Sequence, residues 1–417
     1  MQKQISHRKP NPQLNLRHPL ILSTDFYNNN VHEIFRWMRA EAPVYKAKFT
    51  RWKTVYLISR YADVEAALKD PRFVKDTKNI QGKSSWGGGN FWVPKSFRPL
   101  MHNMLNSDEP DHRRLRNLVH KAFTPKRVAE LEPKIEEIAQ RLIHQAKKEG
   151  RFDLIDSFAQ PLPIAVIAHM LGIPNEDLPQ FTANAEGFLV TPTPINMLKA
   201  VPAISRFVKY IRQLADQRRA DPQDDLITGL VEAEDEGDRF SEDELIGMVF
   251  LLFVAGHETT VNLIANGTKA LLEHPDQFDL LKQHPEYVES AVEEFLRFDG
   301  PLETTEMSFA REDITLHGVT IPRGMTVLPA LLSANRDESV FDHPDQLDIL
   351  RSPNKHLSFG KGIHFCLGAP LARLEAKKAF CTLLQEVPDL QLAIPADQLK
   401  FRKMVILHRL ENLPVQI

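Results

Sequence analysis

The sequence predicts a mainly α-helical protein with a small β region. Helical patterns of apolar residues cover most of the chain, and the longest of them extends over residues 241–274. Short runs rich in β-branched and aromatic residues occur in few places, chiefly at 44–56, 314–319 and 325–331. No Gly/Ser-rich linker, internal repeat or low-complexity block divides the 417 residues, so we interpret residues 1–417 as a single domain.

Composition restricts the class of protein. The hydrophobic content of 42% is enough for a large core, and the net charge of −3 gives no indication of a nucleic-acid partner. The two cysteines, Cys366 and Cys381, argue against a disulfide framework and favour a reducing compartment. Residues 1–15 lack the apolar region of a signal peptide, and the longest apolar run, 248–256, is too short to cross a bilayer. We therefore expect a cytoplasmic protein without a membrane span.

The N-terminal part combines short helices with a hairpin. An irregular lead-in precedes a helix at 31–42, a hairpin at 44–56 and a short helix at 61–69. Residues 75–99 then follow without a regular pattern and contain the glycine-rich sequence WGGGNFW. Two interpretations of this stretch stay open: a surface loop, or a lid over an apolar pocket, since long loops in compact domains are often functional.

The next helix begins in segment 108–116, where acidic residues and a proline come first and basic residues follow. His112 and Arg116 are four residues apart and therefore share one face of this helix. A solvated basic face is the simplest interpretation of the segment. Two amphipathic helices are predicted after it, at 128–149 and 152–171.

Residues 181–204 are apolar but interrupted by three prolines, which predicts two helices joined by a movable segment. Further along, a helix at 285–298 carries Glu294 and Arg297 at i and i+3. Alone, that spacing indicates no more than a surface ion pair, which contributes little to stability. The tail after residue 388 is predicted to form short strands.

The central helix has the clearest signals in the chain. Ser241 and Glu244 form a capping-box pattern at its start, and residues 245–255 are apolar nearly all round, so this part should be buried. The polar sequence GHETT at 256–260 interrupts the apolar pattern. A mid-helix glycine costs about 1 kcal/mol relative to alanine, and buried polar groups cost more unless they are hydrogen-bonded, so we expect something to pack against this point. A His-Glu-x-x-His zinc motif is excluded because Val261 stands where the second histidine would be.

The segment 359–368, FGKGIHFCLG, holds a cysteine among three glycines, which allow tight turns and close approach. A helix with Pro370 in its first turn follows, so Cys366 is predicted to lie at a helix N-terminus, where N–H groups and the helix dipole favour a thiolate. A soft anionic sulfur in such a loop is a metal ligand or a nucleophile. The alternative is a buried structural cysteine.

This segment resembles the haem-binding signature of the cytochrome P450 family, Phe-x-x-Gly-x-x-x-Cys-x-Gly. The matching residues are Phe359, Gly362, Cys366 and Gly368, and His364 matches the bacterial form of the signature. The resemblance implies a haem b cofactor whose iron is bound by the Cys366 thiolate, with Phe359, Gly360 and Gly368 in the loop around it. It extends over nearly the whole chain, with four motifs in the expected order, and implies the family's mostly helical, haem-centred fold.

The polar sequence in the central helix resembles the family's oxygen-activating motif, Ala-Gly-x-Asp/Glu-Thr. Ala255 and Gly256 match its first two positions and are implied to lie beside the haem, while Glu258 and Thr259 match the acid–alcohol pair that delivers protons. The structural alternative for Thr259 is a hydroxyl bonded to its own helix backbone.

Glu294 and Arg297 resemble the family's Glu-x-x-Arg motif, a structural element of the core beneath the haem. Its third partner lies downstream in a loop, and Arg336 is predicted to take that role. By resemblance, the loop at 75–99 contacts substrate, 181–204 forms the roof of the substrate pocket, and 300–305 enters the pocket beside the haem.

The resemblance implies a monooxygenase that inserts one oxygen atom from O₂ into a C–H bond of a lipophilic small molecule such as a polyketide or macrolide, a fatty acid or a terpenoid. Electrons would come through a ferredoxin or flavodoxin with its NAD(P)H reductase, and the enzyme is expected to be a monomer. Two alternatives are an H₂O₂-using peroxygenase, a branch that usually replaces the acid–alcohol pair, and a non-catalytic haem sensor or carrier. Basic residues predicted to ring the electron-delivery surface are Arg113, Arg114, Lys121, Lys361, Lys377 and Lys378.

The chain departs from the family at Ser308, where an arginine usually grips a haem propionate. By resemblance the propionates would then depend on His112, Arg116 and His364. Histidine is only partly charged near neutral pH, so we expect haem to be held less firmly as the pH rises and Ser308→Arg to tighten it. Arg311 could substitute only with a change of register, because an odd offset in a strand points to the opposite face.

Overall fold

The computed structural model describes residues 20–80, 97–186 and 194–417, with backbone only for 184–186 and 194–198. Most of the predicted loop at 75–99 and the proline-rich junction within 181–204 therefore lie outside the described residues. The α-helices are α1 (Asp25–Asn29), α2 (Val31–Glu41), α3 (Tyr61–Ala67), α4 (Arg98–Met101), α5 (Asp111–Ala122), α6 (Pro125–Glu130), α7 (Glu132–Ala146), α8 (Pro161–Met170), α9 (Leu178–Glu186), α10 (Pro194–Ala220), α11 (Leu226–Glu232), α12 (Glu242–Glu273), α13 (Pro275–Gln283), α14 (Val288–Phe298), α15 (Leu331–Ala334) and α16 (Ala369–Glu386).

The strands are short and confined to four small sheets in the described residues. They are β1 (Val44–Lys48), β2 (Thr54–Ile58), β3 (Phe73–Val74), β4 (Arg151–Asp153), β5 (Glu234–Asp235), β6 (Asp238–Arg239), β7 (Ser308–Ala310), β8 (Ile314–Leu316), β9 (Val319–Ile321), β10 (Thr326–Pro329), β11 (Gln391–Leu392) and β12 (Pro414–Gln416). The largest sheet has the order β1-β2-β10-β7-β3, in which β2 and β10 are parallel and the other pairs antiparallel. The mainly α fold with a small β region is therefore as predicted.

The central helix α12 confirms its predicted bounds. Ser241 is its N-cap and forms the predicted capping box with Glu244, and the helix ends before Pro275. By length and composition α12 could cross a membrane, but 61% of its most apolar window is buried inside the fold, as in core helices. The main hydrophobic cluster around it takes in residues from Leu100 to Val415.

Close packing joins α12 to the helix that follows the cysteine loop. A Cβ atom on Gly267 would lie 2.7 Å from the ring of Phe380 in α16 and 2.9 Å from the ring of Phe295 in α14. Gly267 is therefore where the side chains of two neighbouring helices approach the α12 backbone. The rings of Phe295 and Phe380 are 4.7 Å apart and fill this junction, so the three helices form one packed unit behind the cysteine loop.

Two predicted helices are divided in the structure. The pattern at 128–149 belongs to α6 and α7, because Pro133 lacks an N–H group and takes the first turn of a new helix. The start of the 152–171 pattern is strand β4, since Phe152 pairs with Val415 from the C-terminal tail. That pairing is a long-range contact, which a local pattern does not contain.

Candidate active site

The cysteine loop closes on itself before α16 begins. The backbone N–H of Cys366 donates to the carbonyl oxygen of Phe359 at 2.9 Å, and Gly360 has a φ of +70°. Gly362 has a φ of +69°, and a Cβ there would lie 2.5 Å from the carbonyl oxygen of Leu68. Only glycine fits that position, both by conformation and by contact. Gly368 is the residue immediately before α16, so Cys366 lies at a helix N-terminus as predicted.

Burial governs the protonation of the Cys366 thiol. It raises the pKa, although the backbone N–H groups of Gly368 and Ala369 and the charge of Arg116 all favour the thiolate. The helix N-terminus favours the thiolate as predicted, but desolvation outweighs its effect on the pKa. A metal cation bound to the sulfur would itself displace the proton.

Three predicted cofactor residues converge beside this loop. The rings of His112 on α5 and His364 in the loop are 4.5 Å apart, and Arg116 Nη1 donates to the carbonyl oxygen of Ile363 at 3.1 Å. Burial lowers the pKa of His364 to about 3, with the charges of Lys75, His112 and Arg116 acting in the same direction.

His112 provides the test of fit for a cofactor. It is 1% exposed, and neither ring nitrogen has a hydrogen-bond partner among the described residues. Burying two such groups without partners is costly. The guanidinium of Arg116 and the rings of His112 and His364 are hydrogen-bond donors that fit a bound group with carboxylates, as haem has. The residues present therefore fit the cofactor that the sequence predicts.

The acid of the predicted acid–alcohol pair forms a buried ion pair. Glu258 is 4% exposed and lies against His257, while Arg409, from the C-terminal tail, donates to it. Burial alone would raise the pKa of Glu258, but the hydrogen bond from His257 and the charge of Arg409 lower it to about 2. Arg409 also donates to Gln160 Oε1 at 2.8 Å, so the guanidinium is held from two sides.

The alcohol of the pair follows on the same helix. Thr259 Oγ1 donates to the carbonyl oxygen of Ala255 at 2.7 Å, which is the backbone bond of the structural alternative. The backbone stays helical through GHETT, so the interruption is one of polarity only. Ala255 is exposed although Phe253 and His257 beside it are buried, and a Cβ on Gly256 would meet only Ile167, at 3.8 Å. The accessible surface at mid-helix leaves room for a group to pack there.

A buried carboxyl group links α16, which follows the cysteine loop, to α12, which carries Glu258 and Thr259. Glu375 on α16 is 2% exposed and hydrogen-bonds to Thr260, the neighbour of Thr259 on α12. Burial raises the pKa of Glu375 to about 8 although the Thr260 hydrogen bond opposes the rise, so the carboxyl is mainly protonated at neutral pH. The cysteine helix and the acid–alcohol helix are therefore joined by a neutral hydrogen bond one residue from Thr259.

The other loop residues lie toward the surface. Phe359 is covered by the guanidinium of Arg373, whose carbon is 4.4 Å from the ring centre, and lies 6.5 Å from the ring of Phe365.

Segment 300–305 contacts the C-terminal tail: the N–H of Glu303 donates to the carbonyl oxygen of Ile406 at 2.8 Å. Glu303 is buried there beside His408.

The Glu-x-x-Arg pair is fully buried. Arg297 donates to both carboxylate oxygens of Glu294 at 2.7 Å, and both side chains are 0% exposed. The third partner of this pair is Arg351, whose Nε donates to Glu294 at 3.2 Å. The prediction of Arg336 in this role is wrong: its guanidinium donates to the carbonyl oxygen of Phe298 and lies over that ring. Arg351 reaches Glu294 because of the path that the loop at 342–353 takes, and sequence spacing does not specify that path.

We expect Arg351→Met to lower the free energy of unfolding by about 2 kcal/mol, since a hydrogen bond to a charged group contributes about 1.5–3 kcal/mol. A double-mutant cycle with Glu294→Gln, followed by urea unfolding, separates the two candidates. Arg351 should show a coupling energy with Glu294 of about 1–3 kcal/mol, and Arg336→Met should show none. Coupling between Glu294 and Arg336 instead would reinstate the original prediction.

Sequence reasoning missed Arg351 and Arg409. Neither belongs to a recognisable motif, and each contacts a partner distant in the chain: Glu294 and Glu258, respectively. A buried carboxylate requires a neighbouring cation, but this requirement does not indicate which part of the chain supplies it.

The fold and this site together define a haem-binding protein with a cysteine ligand for the iron. Two overlapping segments, residues 12–171 and 164–388, match the family model described as Cytochrome P450. The chain belongs to the cytochrome P450 family. It is an enzyme of the monooxygenase class, and its cofactor is haem with iron bound by a cysteine thiolate.

Relatives cover almost the whole chain. The polyketide biosynthesis cytochrome P450 PksS of Bacillus subtilis (strain 168) is 44% identical over 394 residues, 94% of this chain and 96% of PksS. Its solved structure gives a TM-score of 0.88 at 42% identity, covering 95% of this chain and 98% of that one. Vitamin D(3) 25-hydroxylase of Pseudonocardia autotrophica is 43% identical over 387 residues, 93% of each chain. Myxobacterial CYP267B1 in complex with myristic acid gives a TM-score of 0.88 at 41% identity, covering 95% and 98%.

Proposed function

We propose that this enzyme inserts one atom of O₂ into a C–H bond of a lipophilic small molecule, with Cys366 as the iron ligand and electrons from a ferredoxin or flavodoxin and its NAD(P)H reductase. The observation that carries the proposal is the convergence of His112, Arg116 and His364 beside the Cys366 loop. We further propose that residues 1–417 act as one cytoplasmic, monomeric haem domain, in keeping with hydrophobic clusters that each join distant parts of the chain.

Haem with a thiolate ligand supplies the oxidising chemistry, because electron donation from the sulfur favours O–O cleavage. The protein groups proposed to supply protons are Glu258 and Thr259. Glu258 is ionised and held by Arg409, so it must change partner to accept a proton and pass it to the Thr259 hydroxyl. Thr259 is bonded to the Ala255 carbonyl, and rotation of its hydroxyl about the Cβ–Oγ bond would free the proton for transfer.

The substrate class rests on the relatives. One is named for polyketide biosynthesis, another is a vitamin D(3) hydroxylase, and a third was crystallised with myristic acid. Polyketides, vitamin D(3) and myristic acid share an extended apolar surface and little else. The three relatives named with them are about equally similar to this chain. We therefore propose a lipophilic substrate, with polyketides and fatty acids as the first classes to test.

The function is tested by comparing electron sources with purified, haem-loaded protein. Substrates are first found by screening fatty acids and macrolide aglycones for the haem spin-state shift. Product is then measured with NADPH, ferredoxin and reductase, and separately with H₂O₂ alone. Product that requires NADPH and both electron carriers supports the proposal. Product with H₂O₂ alone would identify a peroxygenase, and binding without product under either condition a sensor or carrier.

Electron delivery is expected to depend on Lys361 more than on its basic neighbours. Five of the six predicted surface cations are ion-paired: Arg113, Arg114, Lys121, Lys377 and Lys378. Among the described residues Lys361 has no carboxylate within ion-pair distance, although its charge acts on Glu65, and both residues line a cleft of about 520 Å³ beside the cysteine loop. An unpaired charge presents the larger field to an approaching acidic carrier.

Lys361→Glu should therefore slow reduction by an acidic ferredoxin about tenfold at low ionic strength and flatten its salt dependence. Arg113→Glu should have a smaller effect, because Glu109 already offsets its charge. Stopped-flow reduction rates at several salt concentrations measure both, with Lys403→Glu, whose native side chain pairs with Asp25, as the control. Equal rates for Lys361→Glu and the control would place the docking surface elsewhere.

A further inference from the structure

The residue that replaces the family arginine cannot supply a charge, and the structure shows what faces it. Ser308 is 7% exposed on β7 and pairs with Val327 of β10. On the other side of β7 the register is Phe73 opposite Ala310 and Val74 opposite Phe309. Continuing that antiparallel register by one residue places Lys75 opposite Ser308. Residues directly opposite each other point to the same face of a sheet.

Arg311 does not take the arginine's place. It follows β7, its backbone N–H donates to the carbonyl oxygen of Arg72 at 2.7 Å, and its side chain is exposed. The alternative raised by the sequence, an arginine shifted in register, is therefore not supported. Lys75 remains as the cationic side chain in the position opposite the substitution.

The Lys75 ammonium is held by backbone carbonyls rather than by a direct ion pair. Its Nζ donates to the carbonyl oxygens of Glu306 and Met307 at 2.8 and 3.2 Å, and in the described part of the chain no carboxylate accepts its third proton. The charges of Glu306 and Asp108 act on Lys75, but neither carboxylate accepts a hydrogen bond from its ammonium, and both Asp108 oxygens bind backbone N–H groups, of Lys75 and of Asp76. Two carbonyls position the ammonium, and its third proton is left to bind an anion.

The surroundings of Lys75 are those of the predicted propionate site. The side chain of Asp108 binds the backbone of Lys75, and its backbone carbonyl oxygen accepts a hydrogen bond from the backbone N–H of His112 at 2.9 Å. The charge of Lys75 contributes to the lowered pKa of His364 across the site. The charged or titratable groups that face Lys75 are Asp108, Glu306 and His364, and Arg116 acts on His364 as Lys75 does.

We propose that Lys75 is the cation that pairs with a haem propionate in this chain, in place of the arginine that Ser308 replaces. Lys75 follows directly after strand β3, so its ammonium would reach the propionate from a different position in the sequence. His112, whose ring nitrogens have no hydrogen-bond partner among the described residues, can add a hydrogen bond to the propionate.

A lysine gives this site a pH dependence that an arginine would not. Burial lowers the pKa of Lys75 to about 8, although Glu306 and Asp108 oppose the fall. Binding an anion favours the protonated form and raises this pKa, so haem affinity is expected to be constant below about pH 8. Above it, binding requires proton uptake, and affinity falls by at most about tenfold per pH unit. The alkaline weakening predicted from the sequence is then assigned to Lys75, with its onset above about pH 8.

The test measures haem transfer from the ferric protein to excess apomyoglobin, which does not depend on enzyme activity. Lys75→Met should accelerate transfer about 10- to 100-fold at pH 7, as expected for loss of one charge-assisted hydrogen bond. Lys78→Met, three residues away and ion-paired with Asp76 at the surface, should transfer haem at the wild-type rate. Adding Ser308→Arg to Lys75→Met should restore slow transfer.

Lys75→Arg provides a second, independent measurement. It keeps the charge but does not titrate below pH 12, so it should hold haem as well as wild type at pH 7 and show no acceleration between pH 8 and 10. A wild-type transfer rate for Lys75→Met would overturn the proposal. So would failure of Ser308→Arg to rescue it, since Lys75 would then act only through the loop it bonds. If Lys75→Met does not fold, equal alkaline acceleration of wild type and Lys75→Arg is the refuting result.

Discussion

Cys366→Ser is expected to abolish the red-shifted CO band of the reduced, haem-loaded protein and to eliminate monooxygenase activity. The band depends on electron donation from a thiolate, and a hard oxygen ligand does not match it. Serine is nearly isosteric with cysteine, so the loop closed by the Cys366 N–H and the Phe359 carbonyl should persist. The measurement is the CO difference spectrum of the ferrous protein.

The chain supplies a matched control in its second cysteine. Cys381 lies on α16, outside the cysteine loop, but like Cys366 it is half-buried and has a pKa raised by burial. Cys381→Ser should keep both the band and the activity. The opposite pattern, with the band retained in Cys366→Ser and lost in Cys381→Ser, would transfer the iron ligand to Cys381.

Thr259→Ala is expected to leave substrate binding near normal while lowering product per NADPH by about 10²–10⁴-fold, the usual contribution of a positioned general acid or base. The lost reducing equivalents should appear as H₂O₂. The change removes a hydroxyl whose one hydrogen bond among the described residues is to the Ala255 carbonyl of its own helix, so the fold should tolerate it. NADPH consumption, product and H₂O₂ are measured together.

Thr268→Ala is the control for this variant. Thr268 is on the same helix and bonds its own backbone in the same way, to the carbonyl oxygen of Ile264 at 2.8 Å, but it lies more than two turns further along α12. Its loss tests whether removing a backbone-bonded threonine is itself enough to uncouple the enzyme. Similar coupling in the two variants would remove Thr259 from the proton path and favour its structural alternative.

Much of this site was predictable because its signals are local. The capping box at Ser241, the Gly362 turn and the helix that starts after Gly368 each depend on a few adjacent residues, and the structure has all three where the sequence placed them. A motif of this kind encodes its own geometry, since turns and caps are set by neighbouring backbone groups. The family follows from such motifs, and the comparisons confirm it.

By itself, the sequence determined that the chain is mainly helical, that it has a cysteine loop before a helix, and that polar groups interrupt the apolar central helix. Only the tertiary structure decided which distant cations pair with the buried carboxylates of Glu258 and Glu294. Arg409 and Arg351 reach those carboxylates from the tail and from a distant loop, and Lys75, which follows β3, donates to the carbonyls of the two residues before Ser308. The physical reason is that electrostatic pairing depends on distance in space, and a long, flexible basic side chain can satisfy a buried charge from any part of the chain that the fold brings near.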